Sequence, residues 1–156
     1  MTGENRVRNA VRVLLLDERD RLLLFYSARR NWWQPPGGGV KPREGARAAA
    51  LREIFEETGL REFELGAEVW SRRHSFTWRD VHFDQRERWF VARVPAFEPD
   101  VGGLSDDERV DLAEWRWWTL DELVTTTDAL VPSTLPARLS ELLEHGPPDE
   151  PFDVGP

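Results

Sequence analysis

The sequence predicts an α/β protein in which a mixed β-sheet packs between helices. Two apolar segments of strand character come first, a long helix-forming segment follows, and further strand segments precede the terminal helices. The chain has 156 residues, of which 40% are hydrophobic and 32% charged, so it can bury a sizeable core within the size of one common domain. We therefore expect a single domain over residues 1–145.

The first two strands are predicted at residues 7–16 and 21–27. Both segments are rich in valine and leucine, and the polar residues 17–20 between them are typical of a short turn. Residues 35–39 then form a loop of two prolines and three glycines, in which backbone groups can face a ligand such as phosphate. The two strands are expected to form the sheet core, and the loop leads into the next helix.

A single helix is predicted from residue 44 to residue 58. Alanine, leucine, arginine and glutamate dominate this segment, and Gly59 supplies a flexible position at which a helix can end. The helical repeat gives an apolar face and an opposite acidic face, formed respectively by Ala48, Leu51, Ile54, Phe55 and Thr58 and by Glu53, Glu56 and Glu57. The acidic side is also expected to carry three small residues that would let a substrate approach, Ala46, Ala49 and Ala50.

The three clustered glutamates have two interpretations. Like charges at these spacings repel, so a cation between them would stabilise the helix, and magnesium prefers oxygen ligands of this kind. The alternative is a solvated acidic face with Arg52 as its local counter-charge. The glycine-rich loop before the helix favours the first interpretation.

The loop and the helix together carry a pattern with many fixed positions. These positions are Gly38, Glu44, Arg52, Glu53, Ile54, Glu56, Glu57, Gly59 and Leu60. They resemble the Nudix box, G-x5-E-x7-R-E-U-x-E-E-x-G-U with U aliphatic, and every fixed position matches. Trp33 followed by Pro36 and Gly37 is also similar to the usual approach to that box. The box covers 23 of the 156 residues.

The resemblance implies an α/β/α sandwich with a mixed sheet and a Nudix-type pyrophosphohydrolase. Such an enzyme would use magnesium, with manganese as a second option, to hydrolyse the diphosphate linkage of a nucleoside diphosphate joined to another moiety, by water attack at phosphorus. The family pattern assigns metal binding to the Gly38 carbonyl, Glu53, Glu56 and Glu57, and a supporting role to Glu44 and Arg52. Arg52 is expected to hold a carboxylate in place by a bidentate contact. The predicted catalytic residues are Glu53, Glu56 and Arg52. Glu53 is in addition a candidate to deprotonate the water.

The remaining elements are predicted from local patterns. Residues 63–73 and 87–94 alternate like strands, residues 74–82 between them are a hairpin or a long loop, and residues 95–107 are loop-like. Residues 114–118 predict a strand, Thr119 and Glu122 a helix capping box, and residues 135–144 a last helix. Residues 146–156 are rich in proline, glycine and acid, so we expect a disordered tail. The pattern selects no additional metal ligand or base among the acids Glu98, Asp106, Asp107 and Glu108.

The substrate-binding residues are expected between residues 72 and 82. Arg72 and Arg79 belong to a basic island in an acidic chain and can bind phosphate. Phe76 and Trp78 offer flat faces on which a nucleotide base can stack. Two alternatives stay open: Trp78 covers the edge of the sheet, or the base lies against another wall that carries Trp32.

Composition excludes several classes of function. The formal charge of −8 argues against a general affinity for nucleic acid, although a small anionic nucleotide can still bind at one metal-bearing place. The chain has no cysteine, which excludes disulfides, thiolate metal sites and cysteine nucleophiles. It shows no apolar run of membrane-spanning length and no signal peptide, so a cytoplasmic location is expected.

Three other functions fit the sequence less well than a hydrolase. A catalytically silent nucleotide-binding module of the same fold would more often have lost one of the acids, which are all present. A protein-interaction role for the 8 tryptophans is weaker, since many lie in predicted strands. An isomerase of prenyl diphosphates with a similar fold would use a cysteine. The expected partner is a small nucleotide-type diphosphate, and the oligomeric state is open, with a homodimer as one option.

Overall fold

A curled mixed sheet with helices on both faces forms the protein. The computed structural model describes residues 4–112 and 114–156. The strands are β1 (Glu4–Leu16), β2 (Leu22–Ser27), β3 (Trp32–Gln34), β4 (Gly37–Gly39), β5 (Glu68–Trp78), β6 (Val81–Arg93), β7 (Glu114–Trp118) and β8 (Phe152–Asp153). The helices are α1 (Ala46–Thr58), α2 (Asp106–Asp111), α3 (Leu120–Thr125) and α4 (Leu135–His145). This is the α/β/α arrangement that the sequence predicted.

The centre of the sheet is the long parallel pair β1 and β6. Their register runs without interruption from Glu4 opposite Val81 to Leu16 opposite Arg93. The strand order is β3-β2-β1-β6-β5-β8, with β4 paired to β1 and β7 paired to β2. Because β4 pairs antiparallel with residues 10–12 of β1, the glycine loop is fixed to the middle of the sheet.

Side chains of β1 alternate between two hydrophobic cores, as the two-residue period of a strand requires. Leu14 and Leu16 lie in the core beneath α3 and α4, whereas Val13 and Leu15 lie in the core beneath α1. All four are fully buried. No helix among the described residues is long and apolar enough to cross a membrane.

Only part of the predicted apolar face of α1 lies against the sheet. Of its five residues, Ile54 and Thr58 are buried, whereas Ala48, Leu51 and Phe55 are exposed; the other buried residues of the helix are Ala49, Ala50 and Glu57. The two alanines let the helix lie close to the sheet, and Glu57 is accepted there because the Gly37 N–H donates to its carboxylate. The alanines therefore pack in the core and do not make room for a substrate.

Residues 74–82 confirm one of the two predicted alternatives, because they form a β5–β6 hairpin with Arg79 and Asp80 at its turn in the left-handed region, φ 48° and 63°. Two other short elements differ from the sequence prediction. Residues 37–39 form strand β4, and α2 begins within the predicted loop behind a capping box of Ser105 and Glu108. The capping box of Thr119 and the strand at residues 114–118 agree with the structure.

The end of the chain pairs with the sheet. Phe152 lies opposite Trp70 in β5, and the Val154 N–H donates to the Ser71 carbonyl at 2.9 Å. Val154 is buried in the core with α4. This differs from the disordered tail predicted for residues 146–156, because the apolar residues of the segment find an open strand edge that composition cannot reveal.

The end of α1 yields a test of this packing. Gly59 has φ 78°, its N–H donates to the Phe55 carbonyl, and an added Cβ would meet the Asp100 side chain at 3.1 Å. Replacing it with alanine puts an L side chain in the left-handed region, which costs about 1–2 kcal/mol. Gly59→Ala should lower the free energy of unfolding by that amount, measured by urea denaturation.

Gly103→Ala is the matched control, since an added Cβ there meets open space and the backbone lies outside the left-handed region. It should leave stability within about 0.5 kcal/mol of the parent. Equal losses in the two variants would contradict the capping role of Gly59.

Candidate active site

A cavity of about 330 Å³ lies where the glycine strand, α1 and the β5–β6 hairpin meet. Its walls are formed by Arg8, Arg12, Arg30, Trp32, Gln34, Gly37, Gly38, Gly39, Glu53, Glu57, Arg72, His74, Phe76, Gln85, Glu87, Glu108, Asp111, Leu112 and Val131. Of the predicted site residues, the cavity brings together Gly38, Glu53, Glu57 and Arg72. Arg52, Glu56, Trp78 and Arg79 are not part of its wall.

Two box glutamates share the acidic wall of the cavity. Glu57 is buried, and burial together with the neighbouring charge of Glu53 raises the pKa of Glu57 well above its ordinary value. Burial also raises the pKa of Glu53. The Gly37 N–H donates to Glu57 Oε2 at 2.8 Å and so fixes one of the two carboxylates. Two desolvated, mutually repelling carboxylates favour the binding of a cation.

The fixed glycine of the box is explained by contact with the first of these acids. A Cβ at position 38 would lie 2.6 Å from the Glu53 carboxyl group, closer than real Cβ atoms approach. Any side chain at this position would push the helix or the carboxylate away from β4. Gly38 therefore lets the strand backbone lie directly against Glu53.

Arg52 connects the helix to the segment before it. Its Nε and Nη2 donate to the two carboxylate oxygens of Glu44, both at 2.8 Å, and this hydrogen bonding lowers the pKa of Glu44 to about 2. Nη2 also donates to the Gly39 carbonyl, and Nη1 to Glu53 at 2.9 Å and Glu56 at 3.2 Å. The bidentate contact expected of Arg52 is thus made with Glu44, and Arg52 is placed to position Glu53 rather than to touch a substrate.

The donor set fits a hard divalent cation, although the acids are not gathered around one point. Among residues 4–112 and 114–156 no three acidic or histidine side chains are already arranged to enclose a metal ion. Glu53 and Glu56 turn toward Arg52, and Glu57 turns toward Gly37. Carboxylate and carbonyl oxygens are nevertheless the ligands that Mg²⁺ prefers, and such an ion would offset the repulsion between Glu53 and Glu57.

The opposite wall contains a buried ionic network that sequence reasoning missed. Glu87 is fully buried and accepts hydrogen bonds from Arg72 at 3.1 Å, Gln85 at 2.6 Å and Trp89 at 3.0 Å, with His74 Nε2 at 3.2 Å. Burial alone would raise the pKa of Glu87, but these hydrogen bonds and nearby arginine charges lower it. The sequence signal for Glu87 is an acidic residue at an inward position of a strand. Strand periodicity alone does not show that such a residue belongs to a functional site.

Arg72, predicted to bind substrate, is the cation of this network. Its side chain is 8% exposed, and its Nε is buried without a hydrogen-bond partner among the described residues. Most of its charge therefore offsets Glu87, while the unpaired Nε–H lies in a side chain that lines the cavity. The expected basic island is divided, because Arg73 pairs with Asp84 at the surface.

Flat side chains line the mouth of the cavity. Trp32 and Phe76 both form part of the wall, and the Arg30 guanidinium lies 5.7 Å and 5.4 Å from their ring centroids. Trp78 lies outside the cavity near the hairpin turn, 42% exposed, with the Arg79 guanidinium 5.4 Å from its ring. The alternative wall that carries Trp32 therefore belongs to the same cavity as Glu53 and Glu57.

The structure distinguishes among the acids that follow the box. Glu108 lines the cavity, and its charge adds to the causes that raise the pKa of Glu57. Glu98, Asp106 and Asp107 do not form part of the wall. Glu108 also accepts the Ser105 N–H at 3.1 Å in the cap of α2.

Known proteins are similar to this chain in sequence and in fold. The chain is 34% identical over 107 residues to the RNA pyrophosphohydrolase of Caulobacter vibrioides, covering 60% of this chain and 58% of the relative, and 28% identical over 141 residues to that of Dinoroseobacter shibae, covering 80% and 82%. It thus spans less than two thirds of the length of the first relative. The MutT protein of Methanosarcina mazei Go1 has the same fold, with a TM-score of 0.66, 21% identity, and coverage of 90% of this chain and 96% of that one.

The family model agrees with these likenesses and with the box. The NUDIX domain model matches residues 6–139, a range that contains the box, the β5–β6 hairpin and the first five residues of α4. Because the match extends over most of the chain, this protein belongs to the NUDIX domain family.

Proposed function

We propose that this protein is a divalent-metal-dependent pyrophosphohydrolase that cleaves the diphosphate linkage of a nucleoside diphosphate derivative. Water attacks phosphorus, and one bridging P–O bond breaks. The observation that carries the proposal is the meeting of Glu53, Glu57 and the Gly38 backbone on one cavity wall. The pyrophosphohydrolase names of the two sequence relatives support the same reaction class.

The acidic wall would bind the metal together with Glu56, which lies outside the wall and shares the Arg52 guanidinium with Glu53. Glu53, Glu56, Glu57 and the Gly38 carbonyl are the proposed ligands, for Mg²⁺ or alternatively Mn²⁺. A bound ion supplies positive charge that polarises phosphoryl oxygens and offsets charge on the leaving group. Glu53 is also a proposed base, because its carboxylate lies at the cavity wall beside the other proposed metal ligands.

The arginines of the cavity would hold the phosphates. Arg8, Arg12 and Arg72 line the walls together with the acids. Burial lowers the pKa of Arg8, and the charge of Arg12 lowers it further. A nearby anion would therefore stabilise the charged form of this side chain. Guanidinium groups can donate two parallel hydrogen bonds to phosphate oxygens. In this proposal the three arginines orient the diphosphate toward the acidic wall.

Glu108 also lines the cavity and is a second proposed base or metal ligand.

The nucleoside is placed against Trp32 and Phe76. Stacking of a base on an aromatic ring contributes about 1–3 kcal/mol, and both rings line the cavity beside the arginines. Trp78 and Arg79 lie farther out and would contact the part of a substrate that extends beyond the cavity. Their substrate-binding role stays a prediction.

An RNA 5′ end is a second candidate substrate. The names of the two relatives favour it, and the exposed Trp78 with the guanidiniums of Arg29 and Arg79 near its ring forms a local basic and aromatic surface. The net charge of −8 weighs against general nucleic-acid binding, but a few local contacts suffice for one 5′ end. The silent binding module, the homodimer and the cytoplasmic location also remain proposals.

The hydrolase proposal is tested first with purified protein and a substrate panel. The panel contains nucleoside triphosphates, nucleotide sugars, ADP-ribose, dinucleotide polyphosphates and a 5′-triphosphorylated oligonucleotide, each with Mg²⁺ or EDTA. Glu53→Gln and Glu57→Gln should each lower metal-dependent turnover of the best substrate at least about 100-fold, because an amide keeps the shape but loses an anionic ligand. Phosphate or pyrophosphate release measures this.

Glu62→Gln is the control, since Glu62 is an exposed acid that is not part of the cavity wall. It should keep parental turnover, and all three variants should keep the parental circular dichroism spectrum. Full activity of Glu53→Gln would refute the metal-site assignment, and specific binding of a nucleotide without turnover would favour the silent module.

The acidic wall also predicts a stability effect of the metal. An ion that binds the folded site alone stabilises it by about 2.7 kcal/mol at 100 times its dissociation constant. Mg²⁺ should therefore raise the thermal midpoint by several degrees in scanning calorimetry. The shift should disappear in the double variant Glu53→Gln/Glu57→Gln; a shift that survives there assigns the ion to another site.

The buried pair of Arg72 and Glu87 predicts a large stability effect of Arg72→Met. Removing the cation leaves a buried carboxylate uncompensated, which costs about 3–5 kcal/mol. The neighbouring Arg73→Met should cost about 1 kcal/mol or less, because its pair with Asp84 is at the surface. Arg72→Met/Glu87→Gln removes both charges but keeps an acceptor oxygen near Gln85 and Trp89, so it should recover part of the loss in urea denaturation. A loss of about 1 kcal/mol or less in Arg72→Met would contradict this account and show that the other partners of Glu87 suffice to hold it.

A further inference from the structure

Gln34 is a polar side chain of the cavity to which no function has been assigned above. It is the last residue of β3, lies opposite Phe25 in β2, and is 9% exposed. It lines the cavity beside Trp32, four residues before Gly38. A polar group this buried needs a hydrogen-bond partner for each of its polar atoms.

One half of the Gln34 amide has such a partner. The Trp32 indole N–H donates to Gln34 Oε1 at 2.9 Å. An indole nitrogen can only donate, so the oxygen of the amide, and not its nitrogen, must face Trp32. The orientation of this amide is therefore fixed by chemistry.

The other half of the amide is available to a ligand. Among residues 4–112 and 114–156, Gln34 Nε2 donates no hydrogen bond, and it is not one of the polar atoms sealed away from solvent. Because the side chain is otherwise buried and lines the cavity, its two N–H groups are reached from the cavity. The site thus presents a donor of fixed position beside the rings of Trp32 and Phe76.

We propose that Gln34 reads the edge of the substrate base and selects bases with a carbonyl oxygen over bases with an amino group. This inference rests on the proposed function, since it concerns the nucleotide bound in the same cavity. The amide N–H groups can donate to O6 of guanine or hypoxanthine or to O4 of uracil. The amino groups of adenine and cytosine are donors at the corresponding position, so they would oppose the Gln34 N–H groups and leave both donors unpaired.

Trp32 is a positioning residue for this selection. A free glutamine amide can rotate by half a turn and offer either its oxygen or its nitrogen, which would accept both kinds of base. The indole N–H removes that choice, because rotation would bring two donors together. Trp32 in this way contributes a stacking face and also fixes the polarity of Gln34.

Inosine and adenosine triphosphates are the matched probes. They share the purine, ribose and triphosphate, and differ in a 6-oxo or a 6-amino group with the matching protonation of N1. The parent protein should hydrolyse ITP with a kcat/KM at least about tenfold above that for ATP, and GTP and UTP should exceed ATP and CTP in the same sense. Equal kcat/KM values for ITP and ATP would overturn the proposal.

Two substitutions distinguish recognition of the substrate base by Gln34 from a purely structural role of this residue. Gln34→Glu replaces the donor with an acceptor and should shift the ITP to ATP ratio by tenfold or more toward ATP. Trp32→Phe keeps a flat face but removes the N–H, so the ratio should fall toward one. If both variants lose stability while the ratio keeps its parental value, Gln34 and Trp32 are structural and the proposal is wrong.

Binding of IMP and AMP gives a readout that does not need turnover, since neither has a diphosphate to cleave. Calorimetry should show tighter binding of IMP, lost in Gln34→Glu. Selective IMP binding without hydrolysis of any nucleotide would uphold the role of Gln34 and overturn the hydrolase. Hydrolysis of another diphosphate with no binding of either monophosphate would overturn the role of Gln34 alone.

Discussion

The site depends on how closely β4 approaches α1. Three contacts hold the strand and the helix together: the Gly38 backbone lies against the Glu53 carboxylate, the Gly37 N–H donates to Glu57, and Arg52 donates to the Gly39 carbonyl. The first contact requires a residue without a side chain. The other two require a backbone N–H or carbonyl group that can form a hydrogen bond with the helix. The glycines and the acids of the box are therefore one structural unit, and a side chain on the strand would separate them.

This approach forces two carboxylates into a desolvated wall, and the rest of the cavity offsets their charge. Arg8, Arg12 and Arg72 bring positive charge to the same space, but the buried Glu87 takes up the charge of Arg72. The cavity thus contains fixed charges of both signs within a protein of net charge −8. Such a space suits a ligand with a polyanionic part, provided that a cation joins the acidic wall.

The features that could be predicted from the sequence are those set by neighbours in the chain. The α1 helix, its glycine end, the Thr119 cap and the bidentate contact of Arg52 follow from spacing of eight residues or fewer. The buried face of α1 was misjudged because the hydrophobic pattern cannot show that alanines pack closest to the sheet. Glu87 and the strand at residues 152–153 depend on strand register, which links residues far apart in the chain.

The path from β3 to β4 joins the two halves of the proposed site. Gln34 is followed by Pro35 and Pro36, whose carbonyls accept hydrogen bonds from the Arg12 side chain and the Val13 N–H, both at 3.0 Å. Proline fixes φ, so this short connection has little freedom between two strands that are each paired to the sheet. The distance from the amide of Gln34 to the acidic wall is consequently set by the backbone. A base read by Gln34 would then determine which phosphate of the substrate reaches Glu53.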